Sequence, residues 1–236
     1  MESFLEFAKG PLFRITFLIM VLGLFRHLIL LIFGMIQAVR KAADPVPPFS
    51  ASLKKLTIQT IDWILPLNHL KSRKLYSITS IIFHIGLILV PIFLFAHIQL
   101  WHKGIGLSWP SIDKKLLDIL TLITIVAGVG LFVGRVGNRD SRFISRPQDY
   151  LLTWILIIPF ISGFLAMFPH LLPFSYNLMM IIHVLSGELV LVLIPFSKIS
   201  HCILFPLVRY ASNYAWRFVP GGGEKVARSL GKEAKV

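Results

Sequence analysis

The chain has 236 residues, 56% of them hydrophobic, and a formal net charge of +13 at neutral pH. Its apolar residues gather in long runs, which excludes an ordinary soluble domain and points to a membrane protein. The basic residues lie between those runs and not along one face, so topology accounts for them and no nucleic-acid partner is expected. Cys202 is the single cysteine, which excludes an internal disulfide, a protein-borne iron–sulfur cluster, a four-thiolate zinc site and covalent CxxCH attachment of haem.

A helix needs about 20 apolar residues to cross the hydrocarbon core. Five segments qualify, roughly 12–37, 76–100, 115–134, 150–170 and 176–200. The expected fold is an all-α integral membrane protein, a five-transmembrane-helix bundle over 1–215 with a flexible tail over 216–236. Span one follows Glu2 and Glu6 and lacks a small-residue cleavage site, so it reads as a retained span and not a signal peptide. It carries Arg26 beside His27, and a charge at that depth needs a partner.

The connection over 38–75 opens with Pro45, Pro47 and Pro48. Leu53, Leu56, Ile61, Trp63 and Ile64 then form an apolar face beside Lys54 and Lys55, which suits a helix on the membrane surface or a docking platform for a cytoplasmic subunit. His69 lies here and is read as a surface residue. Span two holds His84, Pro91 and His97, with His102 just beyond. Span three follows Pro110, and Arg135, Arg139, Arg142 and Arg146 separate it from span four. His170 ends span four beside Pro169, again with a surface role, and no Lys or Arg lies before span five. Span five holds His183, Glu188 and His201. The run Gly221–Gly223 in the tail lacks the context of a phosphate loop.

Three alternate connections are therefore basic: 38–75, 135–146 and the tail with Arg209, Arg217, Lys225, Arg228, Lys232 and Lys235. The positive-inside rule then puts the N-terminus outside and the C-terminus in the cytoplasm.

An ionisable side chain inside a bilayer is a functional-site candidate. A lone histidine is as readily a packing residue, but a low-spin b-type haem needs two axial imidazoles from facing helices, and two haems need four. His183 and His201 are 18 residues apart, which on an ideal helix is five turns, one face and about 27 Å of rise. His84 and His97 are 13 residues apart, about 20 Å, with a poor angular match that a kink at Pro91 would absorb. His102, 18 residues after His84, rivals His97 but sits at the membrane edge between Trp101 and Lys103. Chain direction pairs His84 with His201 on the inner side and His97 with His183 on the outer. Arg26 then has two available partners, a haem propionate or Glu188, and Glu188 has the further option of passing protons.

These residues also carry a family resemblance. Phe83-His84-Ile85-Gly86, the His183 to His201 spacing with Gly187 and Pro195-Phe196-Ser197-Lys198-Ile199-Ser200, and Arg146-Pro147-Gln148-Asp149-Tyr150 resemble the gamma subunit of respiratory nitrate reductase and its cytochrome b relatives. The wider His84–His97 spacing, with Leu94 in the usual ligand's place, and the long 38–75 connection are closer to heterodisulfide-reductase-like menaquinol oxidoreductases. The resemblance spans roughly residues 12–215. It implies a membrane subunit of a menaquinol or quinone oxidoreductase complex in a prokaryotic cytoplasmic membrane. It also implies two b-type haems, a quinol site near the outer haem, and electron delivery to a cytoplasmic iron–sulfur (heterodisulfide-reductase-like) subunit.

Lys114 resembles the lysine near that family's quinol pocket, where a cation stabilises a developing quinolate; a lysine snorkelling to water is the other reading. His102, Trp109 and Asp113 are neighbours for the same pocket. Two other classes remain: a small transporter or channel with histidines in a proton path, and a membrane anchor without redox chemistry. The transporter predicts internal repeats or helices broken around a midplane site, and the sequence carries no repeat.

Overall fold

The computed structural model describes residues 1–40, 57, 58, 61, 74–171 and 173–215, with backbone alone at 39 and 209–215. Most of the 38–75 connection and the 216–236 tail, both assigned above, lie outside the described residues. Among the described residues the regular structure is helical: α1 (Glu2–Phe7), a wide turn Ala8–Leu12, α2 (Phe13–Arg40), α3 (Lys74–Phe93), α4 (Phe95–Ile105), α5 (Lys114–Gly137), α6 (Arg139–Ile144), α7 (Pro147–Met167), α8 (Tyr176–Phe196) and α9 (His201–Ala215). Short 3-10 turns cover Pro169–Leu171 and Lys198–Ser200.

Five of these segments are long and apolar enough to cross a membrane: Glu2–Ala38, Lys74–Phe93, Lys114–Gly137, Pro147–Met167 and Tyr176–Phe196. Their outward faces are as apolar as their inward ones. On α2, Leu18, Leu22, Phe25, Ile29 and Phe33 recur at helical spacing and are all exposed, as are Leu116, Ile119, Ile123, Val126 and Val133 on α5. In water such stripes would drive aggregation; against lipid tails they cost nothing. The chain is a multi-pass helical membrane protein.

The first span starts earlier than its apolar run suggests, because helix continues back to Glu2 through the wide turn at Pro11. Proline lacks the N–H that a regular turn would use.

The chain divides into two compact units, Met1–Met20 with Asn68–Ile194, and Val21–Leu67 with Pro195–Val236. In the first, α5 packs against both α3 and α7. Small residues allow the approach, since transmembrane helices gain from close backbone packing where no hydrophobic effect drives them together. The Thr124 side chain on α5 fills the space where a Cβ on Gly86 of α3 would lie, and a Cβ on Gly128 would come within 2.7 Å of Phe83. Phe83, Ala127 and Ile157 form one buried cluster there, and Val90, Leu117 and Phe160 another. In the second unit, Gly23 lies against Pro195, and His27 Nε2 donates to the Pro195 carbonyl at 2.7 Å.

Candidate functional site

Span two is not one helix. Leu94 leaves helical geometry (φ −71°, ψ 127°) between α3 and α4. A helix end leaves its last four carbonyls without partners, and in hydrocarbon each must find a donor. All four do. Val90 O accepts from Leu94 N at 3.2 Å and Phe93 O from Ile112 N at 3.1 Å. Pro91 O accepts from His97 Nδ1 at 3.1 Å, and Ile92 O from Trp109 Nε1 at 2.9 Å. The break is thus tied down by the His97 ring and by the loop that follows α4. The ideal-helix arithmetic that relates His84 to His97 therefore does not hold across this break.

The His97 ring faces His183 of α8. Their centroids are 5.7 Å apart and their planes differ by 12°. His183 Nδ1 donates to the Pro159 carbonyl of α7 at 2.8 Å, and the ring lies over Gly163, where a Cβ would meet its Cε1 and Nδ1 at 2.8 Å. Only glycine lets the ring rest on the α7 backbone. Both imidazoles therefore carry the proton on Nδ1, held by a backbone carbonyl, and present Nε2 as the lone-pair nitrogen. That is the tautomer and anchoring of a metal-ligating histidine.

These residues fit a haem. Metal–imidazole bonds of about 2 Å on both sides of one metal put ring centroids about 6 Å apart, close to the separation observed. Among the described residues, no group of three or more His, Cys, Asp or Glu side chains gathers around one point. A metal held by side chains alone has no such donor set, whereas a haem brings four nitrogens of its own and asks the protein for two.

The other sequence-derived residues are placed as follows. His84, in the first unit, donates from Nδ1 to Ser80 O at 2.7 Å, and His201, in the second, to Lys198 O at 2.6 Å. Span five, like span two, is interrupted. Helix α8 stops at Phe196, Ser197 is extended (φ −135°, ψ −178°), and His201 opens α9. The expectation that His183 and His201 share a face of one continuous helix is corrected accordingly, because Ser197 caps a new turn with its Oγ accepting from Ile199 N at 3.2 Å.

His102 is exposed in the last turn of α4 and takes no part in the ring pair. Lys114 opens α5, with Nζ 2.6 Å from Asp118 Oδ2 and 5.6 Å from the centre of the Phe168 ring. Asp113 caps that helix, its side chain accepting from Leu116 N at 3.2 Å. His170 sits edge-on to Phe168. Glu188 is buried, and neither carboxyl oxygen has a hydrogen-bond partner among the described residues. Asp149, in the family-like segment, accepts from Arg146 N at 2.9 Å and approaches Arg135 at 3.8 Å, which makes it the start signal of α7.

Sequence reasoning missed Gly163 and the carbonyls of Pro91 and Pro159. A proline four residues before a glycine in an apolar span was the available signal for the two positions on α7, Pro159 and Gly163.

A protein of Nitratidesulfovibrio vulgaris (strain Hildenborough), described only as "Protein", is 27% identical to this chain over 221 residues, which is 93% of this chain and 96% of that one. No family model matches the sequence, and no solved structure does.

Proposed function

We propose that the chain is a two-haem cytochrome b membrane subunit that links membrane quinol to a cytoplasmic iron–sulfur partner, of the heterodisulfide-reductase-like type its sequence resembles. The observation that carries this reading is the His97/His183 pair, with near-parallel rings whose centroids lie 5.7 Å apart and each Nδ1 fixed on a backbone carbonyl. When bound, two b haems would supply one-electron transfer across the bilayer. The outer is assigned to His97 and His183, and the inner to His84 and His201. The N-terminus is outside and the C-terminus in the cytoplasm. Lys114 lies at the outer end of α5, where Asp118 holds its ammonium and a quinol oxygen would find a cation as it loses its proton.

The helix breaks at Leu94 and Ser197 favour one other reading, a transporter with interrupted helices. In such proteins the carbonyls freed at a break coordinate the ion. Here the four carbonyls at the end of α3 are all taken by Leu94, His97, Trp109 and Ile112, which leaves that break without an ion seat.

The test is the absorption spectrum of the purified complex. Two reducible b-type haems per chain are expected, with His97→Ala losing about half the haem and His102→Ala none. A colourless complex, or loss with His102→Ala and not His97→Ala, would overturn the assignment. In the same complex, Lys114→Ala should slow haem reduction by a quinol analogue about tenfold or more at full haem content; an unchanged rate removes Lys114 from the quinol site.

A further inference from the structure

Three cations at the N-terminal side of the ring pair have no role so far. The Ala8–Leu12 turn packs on α4, Phe13 lies edge-on to Trp101 at 5.7 Å, and a Cβ on Gly104 would meet the Phe13 ring at 2.7 Å. This packing gathers Lys9, Arg14 and Lys103. Arg14 donates to the Lys103 carbonyl at 3.4 Å, and the Lys103 charge is felt at Lys9. Among the described residues the ion pairs are Lys114–Asp118 and Arg135–Asp149, and none of the three cations belongs to either. On the proposed topology they also sit on the outer side, where the positive-inside rule gives no reason for them. Like charges brought together at a membrane edge repel one another unless an anion joins them.

We propose that Lys9, Arg14 and Lys103 form a carboxylate clamp for the propionates of the haem held by His97 and His183. The inference rests on the haem reading above and adds the group's orientation to it. Lys103 lies six residues beyond His97, about 9 Å along the helix, and Lys9 belongs to the turn that packs on that same helix. The two carboxylates of a haem leave from one edge, so three cations gathered at one end of the ring pair select which edge points outward. They would also set the redox balance. A cation near the metal disfavours its more positive oxidised form, as does neutralising the propionates, so both effects favour the reduced state.

The experiment is a redox titration of the complex carrying wild-type chain, Lys9→Gln, Lys103→Gln or Lys9→Arg, with the outer-haem signal identified as the one His97→Ala removes. Each glutamine variant should lower the reduced-to-oxidised ratio of the outer haem about tenfold at fixed potential, equivalent to about 59 mV for one electron. The inner haem should not move, and Lys9→Arg should restore the outer value. An unchanged outer potential at full haem content overturns the clamp. So does loss of co-purifying anionic phospholipid with the potential unmoved, which would assign the cations to lipid phosphate. A wild-type complex without haem defeats the functional reading itself and the clamp with it. If a glutamine variant fails to assemble, the wild-type chain is loaded with haem dimethyl ester, which should leave about tenfold faster than haem; equal retention overturns the clamp.

Discussion

Gly163 shows how little separates a packed histidine from a placed one. Its missing side chain is what lets the His183 ring lie on α7 with Nδ1 at the Pro159 carbonyl. Alanine is the better helix former, so Gly163→Ala should leave α7 intact while its Cβ drives the ring away. The overpacking costs about 1–3 kcal/mol. The expected outcome is selective loss of the outer haem, by severalfold, with the inner retained in the same preparation. Full occupancy with an unshifted outer signal would show that the ring's seat on Gly163 is incidental. Of this site the sequence displayed the two histidines and no more. The choice between His97 and His102 stayed open because helical arithmetic favours His102, 18 residues from His84, and the arithmetic assumes a helix that Leu94 interrupts.

At the scale of elements, both spans that carry the four histidines are made of two pieces. A break in hydrocarbon is stable only if its carbonyls are satisfied, and at the end of α3 two of the four donors, Trp109 Nε1 and Ile112 N, come from the loop beyond α4. No local signal at Leu94 announces this, since neither glycine nor proline stands there and the donors lie 15 or more residues away. That is why the apolar run read as a single span over 76–100; at Ser197 the cap is local, its Oγ accepting from Ile199 N. Trp109→Phe removes the donor to Ile92 O while keeping an aromatic ring beside Trp101. Leaving that carbonyl unpaired should cost about 1–3 kcal/mol. On heating, the outer haem should be released several degrees earlier in Trp109→Phe than in Trp101→Phe, which loses ring area and no bond to the break. Equal release temperatures would mean that the bond does not hold α4 in place.

At the scale of the whole molecule, the five spans were legible because apolar length is a local property of the chain, and the lipid-facing stripes of α2 and α5 are its direct structural expression. Direction across the bilayer is carried instead by the charges between spans. Arg135, Arg139, Arg142 and Arg146 stand on one side, and no Lys or Arg stands between α7 and α8 on the other. On the proposed topology the cytoplasmic side is the one on which α9 begins, and Cys202 in its first turn is an exposed, native reporter. An impermeant maleimide should label Cys202 in opened vesicles and not in intact cells. Phe174→Cys, in the chain with Cys202→Ser, should be labelled in intact cells.

Partial burial pushes the Cys202 thiol pKa up, so little thiolate is present at neutral pH. Labelling in opened vesicles should therefore quicken about tenfold per pH unit through the mildly alkaline range. A docked cytoplasmic partner should slow it at every pH. Labelling of Cys202 in intact cells would invert the topology, move the His97/His183 pair to the cytoplasmic side, and place the Lys114 end of α5 where quinol oxidation could no longer release its protons outward.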